Sequence, residues 1–468
     1  SLVSGKIQNQ RTILRRNLPG FTSPFLRDCC RLWLDCHAAH CRGSVADMAR
    51  WLACGRDAQE QAIALLQLTM LLCREKDYSR AEEVVARAVT LFPQSPLLWR
   101  AWVSLAGGRA EVIAAARNAF PNDPELWLAW LVMEVRRSGD ENNIRASLGD
   151  VIAAESVPAG TMTRAGDFLM RKGMASAALV AAKYASANAQ GLVPAHFLLL
   201  RCAVVTNDRE SALQAAKRAI DAALEPPLFC YQVIVDLKGL ANPKDTDVYD
   251  ALKQLRRRDF TNSHWAEKLG YIYFQRGGMD IGNALTETSF AIDNGATSKV
   301  TFVIAAESAR LIRDYNRAVK YLRNGCASYP GDVALFNNLV YVLSLRPETL
   351  SEAHSQVGQL LNMDTNNPSI LDTAAVVYLN SGEWETAEKL LAQALALAPH
   401  HSPEWMATKL HQAELWFKRG ALKESRAILE DLGRNSQQIP DSLLYEVDTL
   451  RNQVSAALDT GRKPASLN

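Results

Sequence analysis

The sequence predicts an all-α chain built as a solenoid of antiparallel helix pairs, and three observations predict it. Apolar residues recur at helical spacing in paired stripes. A glycine or short polar turn separates the stripes of each pair, and proline stops the second. Alanine and glycine recur where the two stripes must meet. A repeat array can run to any length, so 468 residues need not be divided into ordinary domains.

The clearest unit is PSILDTAAVVYLNSGEWETAEKLLAQALALAP, from Pro368 to Pro399. Leu371, Ala374, Ala375 and Tyr378 form one stripe, and Gly382 breaks the helix. Trp384, Ala387, Leu391 and Ala394 form the second, ended by Pro399. Ala375, Ala387 and Ala394 fall where the helices approach, and larger side chains there would overpack the contact.

The same grammar returns in DYSRAEEVVARAVTLFP, with Tyr78, Ala81, Ala88 and Pro93, and in DYNRAVKYLRNGCASYP, with Tyr315, Ala318, Gly325 and Pro330. The pattern of small residue, tyrosine, aromatic, two alanines and closing proline resembles the tetratricopeptide repeat (TPR). Weaker copies contain Ala212 and Ala219, then Trp265, Leu269, Gly270, Tyr273 and Gly277, then Asn338, Leu339 and Ala353. Roughly nine or ten hairpins fit the chain. The resemblance implies a right-handed superhelical TPR-like solenoid. The expected divisions are 1–59, an N-terminal arm and capping helices; 60–158, N-terminal repeats; 159–260, degenerate repeats; 261–435, C-terminal repeats; and 436–468, a capping helix and tail.

Between Pro96 and Pro158 the pattern shifts to Trp99 and Trp102, then Trp127, Trp130 and Glu134. That spacing also resembles the half-a-TPR (HAT) repeats of RNA-processing scaffolds. The plainer reading makes these tryptophans core residues of divergent first helices.

Composition narrows the function. Lys plus Arg number 52 against 50 Asp plus Glu, a net charge of +2, which supplies no field to gather nucleic acid or an anionic membrane. Basic clusters at Arg15 and Arg16, and at Arg256, Arg257 and Arg258, read first as solvated helix faces. No apolar run approaches the roughly 18 residues of a membrane span. The longest, Ala62 to Cys73, is interrupted by Gln67 and Thr69. The chain begins at Ser1, without a methionine and without a charged-then-apolar export pattern.

Nine irregularly spaced cysteines point to a reducing, cytoplasmic setting, since export would risk mispairing them. Against that, the phrases around Asn338 and Leu371 resemble TPR proteins of bacterial envelope systems. They imply a bacterial source, with the periplasm or envelope as the alternative location.

Chemistry-bearing motifs are sparse. CCRLWLDCHAAHC holds Cys29, Cys30, Cys36, His37, His40 and Cys41, but these crowd one helix instead of forming two separated ligand pairs. An apolar helix face with Trp33 and Leu34 is therefore the expectation, with no metal. No phosphate loop, HExxH pair or GxSxG elbow occurs, and the eight histidines lack a nucleophile in context. The sequence thus offers no catalytic residue and no cofactor site.

The resemblance leaves one candidate site, the concave groove lined by first-helix positions. Carried over residue by residue, these are Glu267, Lys268, Tyr271, Glu307, Arg310, Asn337, Asn338, Tyr341, Asp372 and Asn380. Asparagine there can both donate to and accept from an extended peptide backbone. The Lys and Asn set of the family's carboxylate clamp is incomplete, which argues against a chaperone-tail adaptor. The expected function is a non-enzymatic scaffold or adaptor whose partner is a protein or peptide segment, or a larger assembly. An RNA-associated repeat factor, or the regulatory repeats of an enzyme whose catalytic part lies elsewhere, are the alternatives.

Overall fold

The structure is a computed structural model that describes residues 58–74, 76–153, 157–434 and 441–460. The N-terminal arm, the Cys29 to Cys41 cluster and the tail after Gly461 lie outside the described residues. Helices dominate what is described, with no β-strand among the described residues. The chain divides into two compact units, residues 1–230 and 231–468.

The first unit runs through α1 (Ala58–Arg74), α2 (Tyr78–Leu91), α3 (Pro96–Leu105), α4 (Ala110–Ala119), α5 (Pro124–Ser138) and α6 (Glu141–Ala153). It continues with α7 (Ala159–Arg171), α8 (Ala175–Asn188), α9 (Val193–Val205) and α10 (Arg209–Ala222). Next comes α11 (Leu228–Lys238), which carries the boundary. The second unit contains α12 (Thr246–Arg258), α13 (Ser263–Arg276), α14 (Ile281–Asp293), α15 (Lys299–Leu311), α16 (Tyr315–Ser328) and α17 (Val333–Ser344). It ends with α18 (Pro347–Met363), α19 (Pro368–Asn380), α20 (Trp384–Leu397), α21 (Pro403–Lys418), α22 (Leu422–Arg434) and α23 (Asp441–Thr460).

Pairs such as α1 with α2, α7 with α8, α15 with α16 and α19 with α20 pack side by side, and second helices pack on the first helix of the next pair at α2–α3, α8–α9, α14–α15 and α18–α19. The array is TPR-like, and its local grammar shows why. Within a pair, the turn places one residue in the left-handed region just before the second helix. Lys76, Asn207 and Arg313 take that place at φ 63, 57 and 65°, and Gly382 at 81°. The residue after each of the first three is an aspartate, and its carboxylate caps the new helix. Asp77 accepts from Arg80 N, Asp208 from Ser211 N, and Asp314 from Arg317 N. The cap satisfies an amide that has no partner within its helix.

Between pairs, a polar cap precedes the first helix, with proline at its first turn in several cases. Asp123 accepts from Glu125 N and Leu126 N ahead of Pro124, and Ser402 accepts from Trp405 N ahead of Pro403. Proline fits because the missing N–H would be unpaired at that position anyway.

Small residues close the pairs, as their spacing predicts. Ala375, Ala387 and Ala394 are fully buried. A Cβ on Gly270 would come within 2.7 Å of Thr288 Cγ2, and one on Gly166 within 2.5 Å of Leu198 Cδ2. Cys202 and Cys230 are buried and unpaired. Burial pushes their thiols up to about 12 and about 11, so both act as small apolar residues.

Candidate functional site

Odd-numbered helices are the first helices of the pairs, and in the second unit five of them send side chains to one polar centre. Arg310 on α15 is its hub. The guanidinium donates from Nε and Nη2 to Glu307, at 2.8 and 2.7 Å, and from Nη1 to Glu446 on α23, at 2.8 Å. Its side chain is only 10% exposed. Burial would lower the guanidinium pKa, but the hydrogen bond and charge of Glu307 outweigh it and leave the value raised. The cation is therefore fixed by two carboxylates, one 136 residues away in sequence.

Tyr341 on α17 packs beneath this group, with the Arg310 guanidinium 6.0 Å from its ring centre. Burial first, then the Glu446 carboxylate, raises the phenol pKa, so Tyr341 stays neutral. Beyond it, the ring of His411 on α21 lies 6.0 Å from that of Tyr341. His411 Nδ1 donates to both carboxylate oxygens of Asp372 on α19, at 2.9 Å each. Desolvation opposes the imidazolium, yet the charge and hydrogen bond of Asp372 carry its pKa up to about 9. At neutral pH the centre thus holds a His411–Asp372 ion pair beside the Arg310–Glu307–Glu446 triad. Buried charges survive only when paired in this way.

The ten sequence-identified residues all lie on first helices, but they do not form one open wall. Arg310, Glu307, Tyr341 and Asp372 join the centre just described. Asn380 is held between neighbours, donating to Ser344 O at 3.0 Å and accepting from Lys418 Nζ at 2.7 Å. Glu267 accepts from Thr301 Oγ1 at 2.6 Å, and Lys268 pairs with Asp236 at 3.5 Å. Tyr271, Asn337 and Asn338 are half-buried. The Asn337 side-chain carbonyl oxygen is enclosed with no hydrogen-bond partner among the described residues. Sequence reasoning missed His411 and Glu446. His411 had a usable signal, since it falls on a first helix one repeat after Asp372. Glu446 had none, because it was assigned to a capping helix whose non-apolar face carried no expectation.

A second feature lies on the first-helix side of the N-terminal unit. Helices α3 and α4 have 10 residues each, against 14 in α13. The missing turn is replaced by Gly107 and Gly108, which leaves a cleft of about 770 Å³. Arg100, Arg136, Arg137, Val103, Val132 and Met133 are among its lining residues. Arg100 pairs with Asp123 at 2.6 Å and Arg137 with Glu134 at 2.8 Å.

The tryptophans of this region serve the core. Trp99 and Trp127 are buried, and Trp99 Nε1 donates to Pro93 O at 2.9 Å. Trp130 lies under the Arg117 guanidinium at 4.1 Å. In the Arg256 cluster, Arg256 pairs with Glu287 at 2.7 Å and Arg257 donates to Gln254 at 2.8 Å.

No family model and no curated protein matches the chain. Among solved structures it is similar to the APC/C hetero-tetramer Cut9-Hcn1, at 12% identity, 93% of this chain, 91% of that chain and a TM-score of 0.36. It is also similar to yeast Tom70, at 14% identity, 86% of this chain, 97% of that chain and a TM-score of 0.31. A third similarity is to a thermophilic TPR protein of Thermus thermophilus, at 22% identity, 42% of this chain, 99% of that chain and a TM-score of 0.33.

Proposed function

We propose that this chain is a non-enzymatic protein-interaction scaffold that holds a partner segment against the first-helix face of its C-terminal repeats, within residues 261–435. One observation carries the reading. The first helices α13, α15, α17, α19 and α21 gather arginine, histidine, tyrosine, asparagine and carboxylates on one side, held by hydrogen bonds before any ligand arrives. Such preorganised polar groups favour association because little side-chain freedom is left to lose. Tyr271 and Asn338 are half-buried groups on that side with polar atoms to offer a peptide backbone.

The unpaired Cys73, Cys202, Cys230 and Cys326 favour a reducing, cytoplasmic location for this work. No helix among the described residues is long and apolar enough to cross a membrane.

The test is capture of partners with the wild-type chain and with a Tyr271→Ala/Asn338→Ala variant, identified by mass spectrometry. The variant should keep its helical content and bind the captured partner about 1–3 kcal/mol more weakly, the range for truncated interface anchors. Full affinity in the variant would move the binding face elsewhere.

A further inference from the structure

Helix α23 packs on α21 and α22 and also reaches α15 and the turn after it through two side chains. We propose that α23 is an internal occupant of the first-helix face, and that the partner displacing it is an acidic amphipathic helix with a tyrosine and a glutamate side by side near its start. The proposal rests on the function given above and names the partner's chemistry.

Two faces of α23 do two different things. Its apolar stripe, Val447, Leu450 and Val454 with Leu443, Leu444 and Leu458, packs on Trp405, Met406, Leu410, Leu429 and Leu432 of the two preceding helices. That stripe is enough to cover the core of the helix pair beside it. Tyr445 and Glu446 do something else. They reach α15 and the turn after it, 132 and 136 residues earlier, where Tyr445 Oη meets Arg313 Nη2 at 3.1 Å and Glu446 meets Arg310 Nη1 at 2.8 Å.

The geometry on the receiving side is that of a binding site. Glu307 takes one edge of the Arg310 fork, which leaves Nη1 aimed at an incoming acceptor. A guanidinium held this way is preorganised to receive a carboxylate. Arg313 stands at the left-handed turn, φ 65°, and its guanidinium lies 5.5 Å from the centre of the Tyr445 ring. Charge is complementary as well. From its start up to Arg451, α23 carries Asp441, Glu446 and Asp448 and no basic residue.

The contact is also replaceable. Tyr445 is 64% exposed although it touches Arg313, and exposed polar contacts contribute little. Tethering supplies the advantage of the internal helix, at an effective concentration on the order of millimolar. A free helix with the same two anchors and the same stripe competes once its own affinity overcomes that tether.

The experiment uses the full chain and a labelled synthetic peptide with the sequence of residues 441–460. Wild-type chain and a Tyr445→Ala/Glu446→Ala chain are titrated with this peptide and with a peptide carrying the same two alanines. The wild-type peptide should bind the variant chain at least fivefold more tightly than the wild-type chain, and the alanine peptide should not distinguish them. A variant chain that also carries Arg313→Ala should lose most of the gain. Should the alanine chain lose helical content, a Tyr445→Phe/Glu446→Gln chain replaces it and is read the same way. Equal binding to both chains, or no binding to either, overturns the proposal. A partner captured through Tyr271 and Asn338, yet indifferent to Tyr445 and Glu446, would overturn this inference while keeping the scaffold function. Peptide exchange without such capture would do the reverse.

Discussion

The first-helix face differs between the two units. In the N-terminal unit it is open beside α3, where a shortened hairpin leaves a cleft rimmed by arginines that keep to local carboxylates. In the C-terminal unit full-length hairpins bring five first helices to one buried charged centre, which α23 closes. The same repeat thus yields a vacancy or a closed contact, according to one turn of helix and one distant carboxylate. What the contrast teaches is that groove chemistry in a repeat array is not a property of repeat positions alone.

The largest way to break the contrast is Arg310→Ala. It removes a side chain only 10% exposed and leaves Glu307 and Glu446, each about a third exposed, without their shared cation, so unfolding by urea should show a loss of about 3 kcal/mol. Arg310→Met, which removes the charge but keeps the volume, should cost less once Glu307→Gln and Glu446→Gln accompany it. On the open side, Arg136→Ala should shift stability by no more than about 0.5 kcal/mol, as for ordinary surface positions. A similar cost at both sites would erase the distinction.

Next in size is the pH dependence of the centre. His411 has its pKa raised in the folded chain, to about 9 from an ordinary 6.5. Its contribution is therefore complete below the unfolded value and fades as pH climbs through the folded one. That shift corresponds to something on the order of 3 kcal/mol. Midpoints of chemical unfolding should fall between pH 6.5 and 9, and His411→Gln should flatten that fall. A slope unchanged by the substitution would remove His411 from the account.

A smaller effect sharpens the comparison from within one pair. Ala387→Leu should overpack the α19–α20 contact by about 1–3 kcal/mol and loosen adjacent pairs before distant ones in hydrogen exchange. Smallest is Gly382→Ala, where a side chain enters the left-handed turn at φ 81°. The expected cost is about 1 kcal/mol, visible as a slight drop in the thermal midpoint.

The hairpins were legible because each is local. Gly382 and the alanine triplet act within about one repeat, so a window of that length contains their whole cause. The ten groove residues were legible as first-helix positions for the same reason. Their relation to one another was not, because it depends on how successive pairs rotate, which no single window records. Thus Tyr341 was expected to meet a ligand and is instead enclosed between Arg310 and His411. Asp372 was expected in the wall and is paired with a histidine one repeat later. Glu446 was out of reach of any such reasoning, since its partner stands 136 residues away.

That separation also bears on how the chain folds. Helix pairs that touch only their neighbours close short loops and can form early, whereas the Arg310–Glu446 contact must wait for the pairs between them. Its 136-residue separation leads us to expect that it forms on the far side of the folding barrier. Substitutions at Glu446 should therefore hasten unfolding while leaving the refolding rate nearly untouched. The lifetime of the folded unit is then set in part by a single carboxylate that plays no part in building it.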